Sequence, residues 1–323
     1  MLIRIPNWLG DAIMATPVFE NLYPFERLIL FGPSLFLELF EDLPNTFTIA
    51  FERGNLRANL SSLRPFREER GLLLTNSFSS ALLFFLARIR ERIGYSTDLR
   101  GFLLTKRIRP PKEKLHQRDK YLYLLERLGY RISTKELKIH LSQNKLERAH
   151  AFLRDIKLEP EKDSLVVFAP GANYGPAKRW PEGHFRELAS KLTSQGFKVL
   201  VVGSPQEFTL CEKISDNLKG VYNLCGKVSL GILTGILKFS KVLISNDSGL
   251  MHLGSALKIP QIAIFGSTDP QATGPLNPKA RVIRKTLPCA PCFKRTCPEG
   301  HYQCLTTIDP TEVYEEILTL LQK

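Results

Sequence analysis

The feature that most constrains this chain is a recurring alternation of short apolar runs with helix-like stretches. The runs are Leu2–Ile5, Arg27–Phe31, Thr46–Phe51 and Gly71–Thr75 in the first half, and Ser164–Ala169, Lys198–Val202, Val221–Asn223, Val242–Ser245 and Gln261–Phe265 in the second. Many are rich in Val, Ile and Leu with no polar alternation, as expected of parallel strands covered on both faces. Stretches such as Pro181–Thr193 and Ser248–Leu257 lie between them with the spacing of βαβ units. The expected class is therefore α/β, built from doubly wound parallel sheets.

At 323 residues the chain is long enough for two such domains. The charged, proline-containing stretch Ile156–Asp163 precedes a fresh strand, so the seam is expected there, with domains at 1–158 and 159–323. Two Rossmann-like halves are then expected to face a cleft, with ligands at the carboxyl ends of the strands. Residues 309–323 read as a final amphipathic helix, with Asp309 as N-cap, Pro310 in the first turn and Glu312 three residues on. We expect this helix to pack back on the first domain.

Composition excludes several classes. With 43% hydrophobic and 24% charged residues the chain is neither disordered nor fibrous. Its apolar run Ala81–Ala87 is far short of the ~20 residues that span a bilayer, and Asn7 and Asp11 interrupt any leader-like start. A cytoplasmic location is the expectation. The net charge of +13 is unevenly spread: Arg88–Lys120 holds eleven Lys/Arg against four Asp/Glu. Such a surplus suits an acidic partner or a merely solvated face.

The chemistry concentrates where strands end. Val242–Ser245 runs into Asn246-Asp247-Ser248-Gly249, and a helix begins. The first amides of a helix lack internal partners, and a glycine there lets an anion approach the backbone. Asp247 reads either as an N-cap or as a ligand-binding carboxylate. After the preceding domain's seam, the first strand leads into Pro170–Pro181, whose Lys178 and Arg179 would clamp a diphosphate. The loop Gly266–Pro270 adds hydroxyl donors. Near the N-terminus, Asn7–Ala12 (NWLGDA) places the lone carboxylate Asp11 at the join of a strand and a helix, where the helix dipole favours its anionic form. Neither GxGxxG nor GxxxxGK[ST] occurs, which disfavours a nicotinamide dehydrogenase and a P-loop NTPase. A diphosphate site without either motif suggests a sugar-linked leaving group.

Five stretches together, NWLGDA at 7–12, TNSFSSAL at 75–82, PGANYGPAKRWP at 170–181, NDSGLMH at 246–252 and GHYQCLTTI at 300–308, give the chain its family likeness. It resembles the bacterial ADP-heptose:lipopolysaccharide heptosyltransferases of inverting glycosyltransferase family 9, and among them the type II enzymes. The resemblance implies a GT-B architecture and transfer of L-glycero-D-manno-heptose from ADP-heptose to the inner core of lipopolysaccharide, at the second heptose or another position. Carried over residue by residue, it implies Asp11 as general base, and Lys178, Asp247, Ser248, Gly249, His252 and Asn173 as donor-binding residues. It places the acceptor, a phosphorylated Kdo-lipid A or heptosyl core, near Asn76, Ser77 and Arg100. No metal is expected to be required for catalysis, and the chain is expected to act as a monomer at the inner face of the inner membrane, with basic residues such as Arg92, Arg100 and Arg107 meeting anionic lipid or acceptor phosphates. The sequence departs from the family at Ala172–Asn173, where threonines are common, and at Ser229–Ile232, which lacks an acidic ribose ligand.

Cys289, Cys292, Cys297 and Cys304 form a C-x2-C-x4-C-x6-C cluster. Structural zinc, disulfides and free thiols are all open readings, each stapling a loop. A competing class, a nucleic-acid-binding protein, is suggested by the charge, but the basic segment has few interleaved aromatics and no recognition-helix module; no nucleic-acid partner is expected.

Overall fold

The computed structural model describes residues 1–322. The chain divides into two compact units, 1–140 and 141–323, each built on a six-stranded parallel sheet. In the first unit the strands are β1 (Leu2–Arg4), β2 (Leu28–Pro33), β3 (Thr46–Phe51), β4 (Arg70–Leu73), β5 (Glu91–Tyr95) and β6 (Lys106–Ile108). They lie in the order β3-β2-β1-β4-β5-β6. Ile3 is registered between Leu30 and Leu72, and the apolar runs expected from the sequence are buried: Leu2, Ile29, Phe31 and Leu73 pack with Phe84 of the helix Phe78–Leu86.

The second unit repeats this plan with β7 (Leu165–Ala169), β8 (Lys198–Val201), β9 (Val221–Asn223), β10 (Val242–Asn246), β11 (Gln261–Phe265) and β12 (Ala280–Arg284). Its order is β12-β11-β10-β7-β8-β9. Counted from each unit's own first strand, both sheets run 3-2-1-4-5-6, the doubly wound order that reverses beside the first strand. The reversal falls between β1 and β4 in one unit and between β7 and β10 in the other. In sheets of this order ligands bind at the carboxyl edge beside such a reversal.

Three strands were not expected. β5, β6 and β12 are short strands whose apolar signal is broken by charged residues: Glu91 and Arg92 in β5, Lys106 and Arg107 in β6, Arg281 and Arg284 in β12. The basic stretch 88–120 thus supplies sheet, not only surface.

The boundary also differs from the expected 158. The helix Gln143–Asp155 belongs to the second unit, where it packs along the helix Leu230–Phe239. Gly235 permits this, since a Cβ there would stand 2.5 Å from that of Ala149. The charged stretch after this helix looked like a linker only because linear position hid the helix's partner. A second correction concerns the C-terminus. The helix Pro310–Leu321 is capped by Asp309 as expected, but Val313, Ile317 and Leu320 join the second unit's own core against the helix Glu182–Ser194. The i, i+4, i+7 stripe shows amphipathicity, but does not name the surface that receives it.

Candidate active site

In the second unit the sequence motifs arrive at the switch point. The loop Pro170–Pro181 leaves β7, the turn Asp247–Gly249 leaves β10, and Gly266–Asp269 leaves β11. Asn246, fully buried at the end of β10, pins the first of these at both ends. Its Oδ1 accepts from the Trp180 amide at 3.0 Å and its Nδ2 donates to the Pro170 carbonyl at 2.6 Å. Trp180 is itself buried and donates Nε1–H to the Ile308 carbonyl at 3.0 Å. The loop between these anchors therefore has a fixed exit and return, and Lys178 sits on its last turn.

Lys178 Nζ lies 2.5 Å from Oδ2 of Asp247, and Thr268 Oγ1 donates to the same oxygen at 2.5 Å. Asp247 is 5% exposed and the lysine side chain 13%. In so sheltered a site the pair's attraction is little screened, and it fixes the ammonium in position. Of the two readings of Asp247, the cap is excluded: Ser248 occupies the N-cap of the helix Gly249–Ala256, and the Asp247 carboxylate is held by Lys178 and Thr268 instead. Ser248 makes no side-chain cap bond, so capping places no demand on its hydroxyl. His252 is buried on this helix, and Asn173 is exposed on the loop after β7. Lys178 Nζ also lies 4.8 Å from the ring centre of Tyr174, a cation–π contact.

The first unit's switch point is furnished differently. Arg4, at the end of β1, is 2% exposed. It donates to the Ile5 carbonyl at 2.6 Å and to Asn7 Oδ1 at 2.6 Å, and its guanidinium lies 4.2 Å from the Phe51 ring centre. Burial pushes its pKa down to about 10. Asn7 is thereby tied at the start of the NWLGDA loop. Asp11 falls in the first turn of the short helix Leu9–Met14, whose N-cap is Trp8. Asp11 is therefore not a cap, and its Oδ1 accepts from the Tyr121 hydroxyl at 3.4 Å. Tyr121 is buried, and desolvation followed by the Asp11 charge raises its pKa.

After β4, Asn76 is exposed while Ser77 caps the helix Phe78–Leu86, its Oγ accepting from the Ser80 amide. Arg100 requires correction as a surface anion ligand. It is fully buried, donating to the Thr75 carbonyl at 2.5 Å, the Tyr95 carbonyl at 2.8 Å and Asn76 Oδ1 at 3.4 Å. Burial lowers its pKa to about 10. It positions the loop that presents Asn76. Arg92 similarly donates to the carbonyls of Leu103 and Ile89, whereas Arg107 is exposed.

The sequence reading missed the clamp role of Asn246, the buried Arg4 and the Tyr121 hydroxyl. Arg4 carried a faint signal, a charge inside an apolar strand; Tyr121 carried none. A cavity of about 480 Å3 along the helix Gln117–Arg127, walled by Lys112, Arg118, Asp119 and Lys135 among others, was also not foreseen.

Residues 58–303 match the family model described as glycosyltransferase family 9 (heptosyltransferase). The chain is 31% identical to lipopolysaccharide heptosyltransferase 2 of Salmonella typhimurium, over 100% of this chain and 99% of that protein. It is 30% identical to lipooligosaccharide heptosyltransferase 2 of Campylobacter jejuni, over 99% of this chain and 98% of that one. The solved structure of Escherichia coli ADP-heptose lipopolysaccharide heptosyltransferase II superposes with a TM-score of 0.85 at 30% identity, covering 99% and 98% of the two chains.

Proposed function

The chain belongs to glycosyltransferase family 9, the heptosyltransferases, and on that premise we propose that it transfers L-glycero-D-manno-heptose from ADP-heptose to the lipopolysaccharide inner core, adding the second heptose. The observation that carries this reading is the sheltered Lys178–Asp247–Thr268 group beside the helix start at Gly249. A fixed cation beside the first amides of a helix is what a departing diphosphate requires.

The reaction is a single displacement with inversion. Asp11 accepts the acceptor hydroxyl's proton as that oxygen bonds to the anomeric carbon. The bond from the anomeric carbon to the β-phosphate oxygen breaks, and ADP leaves with its electron pair. Lys178 and the amides at Ser248 and Gly249 meet the charge that develops, so no metal is needed for this step. Asp247 holds Lys178 and contacts heptose hydroxyls, with Asn173 and His252 completing the donor site. Asp11 is a weak base, but the hydroxyl becomes acidic only as the anomeric bond breaks, and a positioned carboxylate serves at that moment.

We assign the acceptor, a phosphorylated Kdo-lipid A core already carrying one heptose, to the first unit near Asn76. Among the described residues no helix is long and apolar enough to cross a membrane. A peripheral contact on the cytoplasmic side of the inner membrane is supported by the helix Phe78–Leu86, where Phe78, Phe85 and Leu86 are exposed, at helical spacings i, i+7 and i+8. Phe102 packs on Phe78, and Arg88, Arg90, Lys106 and Arg107 are exposed in the same region of the sequence. Apolar stripe and basic residues together are what an anionic leaflet attracts.

The test of the reaction is ADP release from ADP-heptose with defined truncated cores. Turnover only with the core that already carries one heptose is expected; turnover with the heptose-free core assigns a different position, and none with any core removes the reading. For the membrane contact, sedimentation with anionic vesicles is expected to be lost in Phe78→Ser/Phe102→Ser, and unchanged binding would refute it.

A further inference from the structure

Cys289, Cys292, Cys297 and Cys304 line one small cavity of about 10 Å3, together with Ala177 and Ser267. That volume is about one water-sized sphere, room for a single ion and not for a polynuclear cluster. All four are thiols, and Cys304 lies within electrostatic reach of the other three. At Cys297 the chain turns back through Gly300, whose amide donates to the Cys297 carbonyl at 3.2 Å. We propose that Cys289, Cys292, Cys297 and Cys304 bind one divalent ion of the zinc and iron(II) class, which braces the loop carrying Lys178.

Two blander readings are weaker. As apolar filler, cysteines belong in a core, as Cys211 and Cys225 do. Of the four, only Cys304 is buried, and the segment around them exposes Phe293, Lys294 and Arg295. The segment has little core of its own, the situation in which a bound metal adds folding energy. As disulfides, the four sulfurs would be bonded in pairs, whereas each is a free thiol. Four sulfurs select tetrahedral zinc or iron. Among the described residues no three such side chains stand at coordination geometry, so binding draws the sulfurs inward to about 2.3 Å from the ion.

The segment is wired to the donor-site loops. The Ala177 amide donates to the Arg295 carbonyl at 3.0 Å, the Tyr174 hydroxyl to the Phe293 carbonyl at 2.6 Å, and the Phe293 amide to the Ser267 carbonyl at 2.7 Å. Arg295 lies 5.4 Å from the ring centre of Tyr174, the ring that Lys178 also faces. Gly175 allows the approach, since a Cβ there would stand 2.4 Å from the Arg295 carbonyl oxygen. Loss of the ion therefore frees the turn that holds Lys178. Metal binding stands independently; its effect on donor affinity rests on the reading of Lys178 given above.

The experiment is elemental analysis of the full chain, purified without chelator and also after reconstitution with Zn2+, alongside thiol counts. About one zinc or iron per chain is expected, four sulfurs near 2.3 Å by X-ray absorption, and at least tenfold weaker ADP binding, with cleavage between 289 and 304 by added protease, after chelation. Which element is found distinguishes zinc from iron. Cys292→Ser and Cys297→Ser are each expected to lower metal content. Four freely titrating thiols in reconstituted wild-type protein, or disulfides by mass spectrometry, overturn the site. Stoichiometric metal whose removal leaves ADP binding unchanged overturns the brace. A metal-loaded protein that binds ADP but transfers no heptose supports both and counts against the proposed reaction.

Discussion

At the carboxyl end of β10 a lysine and an aspartate are paired and sheltered from water; at the carboxyl end of β1 an equally buried arginine is held by carbonyls, an amide oxygen and a ring. The sheets behind these two sites have the same strand order. The frame therefore fixes where a ligand binds, and the loops fix what is done to it. The ion pair of the second unit neutralises itself and presents a fixed ammonium, which suits a small anionic donor arriving at a preformed site. The first unit keeps Arg4 and Arg100 as buried positive charges beneath loops whose tips, such as Asn76, are exposed. That suits a large, acidic acceptor met at the surface.

The contrast is broken most directly at Asp11. Asp11→Asn is expected to lower turnover by at least ~10² while leaving ADP affinity nearly intact, measured by coupled ADP release and calorimetry. Equal activity would remove Asp11 from the mechanism. Lys178→Met should lower kcat/KM by ~10²–10³ and, unlike Asp11→Asn, weaken ADP binding as well. It also leaves the Asp247 carboxylate buried without its cation, so the melting temperature should fall; a variant as stable and as tight as wild type would show the pair to be incidental.

Asn246→Ala sharpens the comparison between clamp and surface. It orphans the Trp180 amide and the Pro170 carbonyl, for a cost of ~1–3 kcal/mol each, with a raised KM for the donor. Asn76→Ala, on an exposed tip, should leave the denaturation midpoint within ~0.5 kcal/mol of wild type and change acceptor KM only. Smaller still is Tyr121→Phe, which removes one long hydrogen bond to Asp11 and should cost ~2–10-fold in kcat without touching ADP binding.

The smallest effect is a pH dependence that should be absent. Burial lowers the pKa of Arg4 from the ordinary arginine value to about 10. From about pH 10 up to the ordinary arginine value the unfolded chain binds the extra proton, so stability gained by deprotonation appears only as pH rises above about 10. The stability difference between wild type and Arg4→Met should therefore be flat from pH 6 to 9 in urea titrations; a slope in that window would place a second titrating group against the guanidinium.

Much of the fold is legible in the chain because its signals are local. Unbroken apolar runs marked the inner strands, and Asp309-Pro310 marked the last helix start, through interactions within a few residues. Strands β5, β6 and β12 escaped because charged residues interrupt the apolar run in each. The helix Gln143–Asp155 fell on the wrong side of the expected seam because its packing partner, Leu230–Phe239, lies far along the chain.

The site divides in the same way. The sequence by itself determined which strand ends carry chemistry, since small polar residues and glycine there serve no sheet, and it determined the family through five ordered motifs. Only the tertiary structure decided what each group does. Asp247 turned from a possible cap into the partner of Lys178, Arg100 from a surface cation into a buried brace, and Ser77 into a cap. Tyr121 meets Asp11 across 110 residues of chain, and Asn246 reaches Trp180 across 66. Such pairings depend on the order in which strands assemble, and no local periodicity encodes that order.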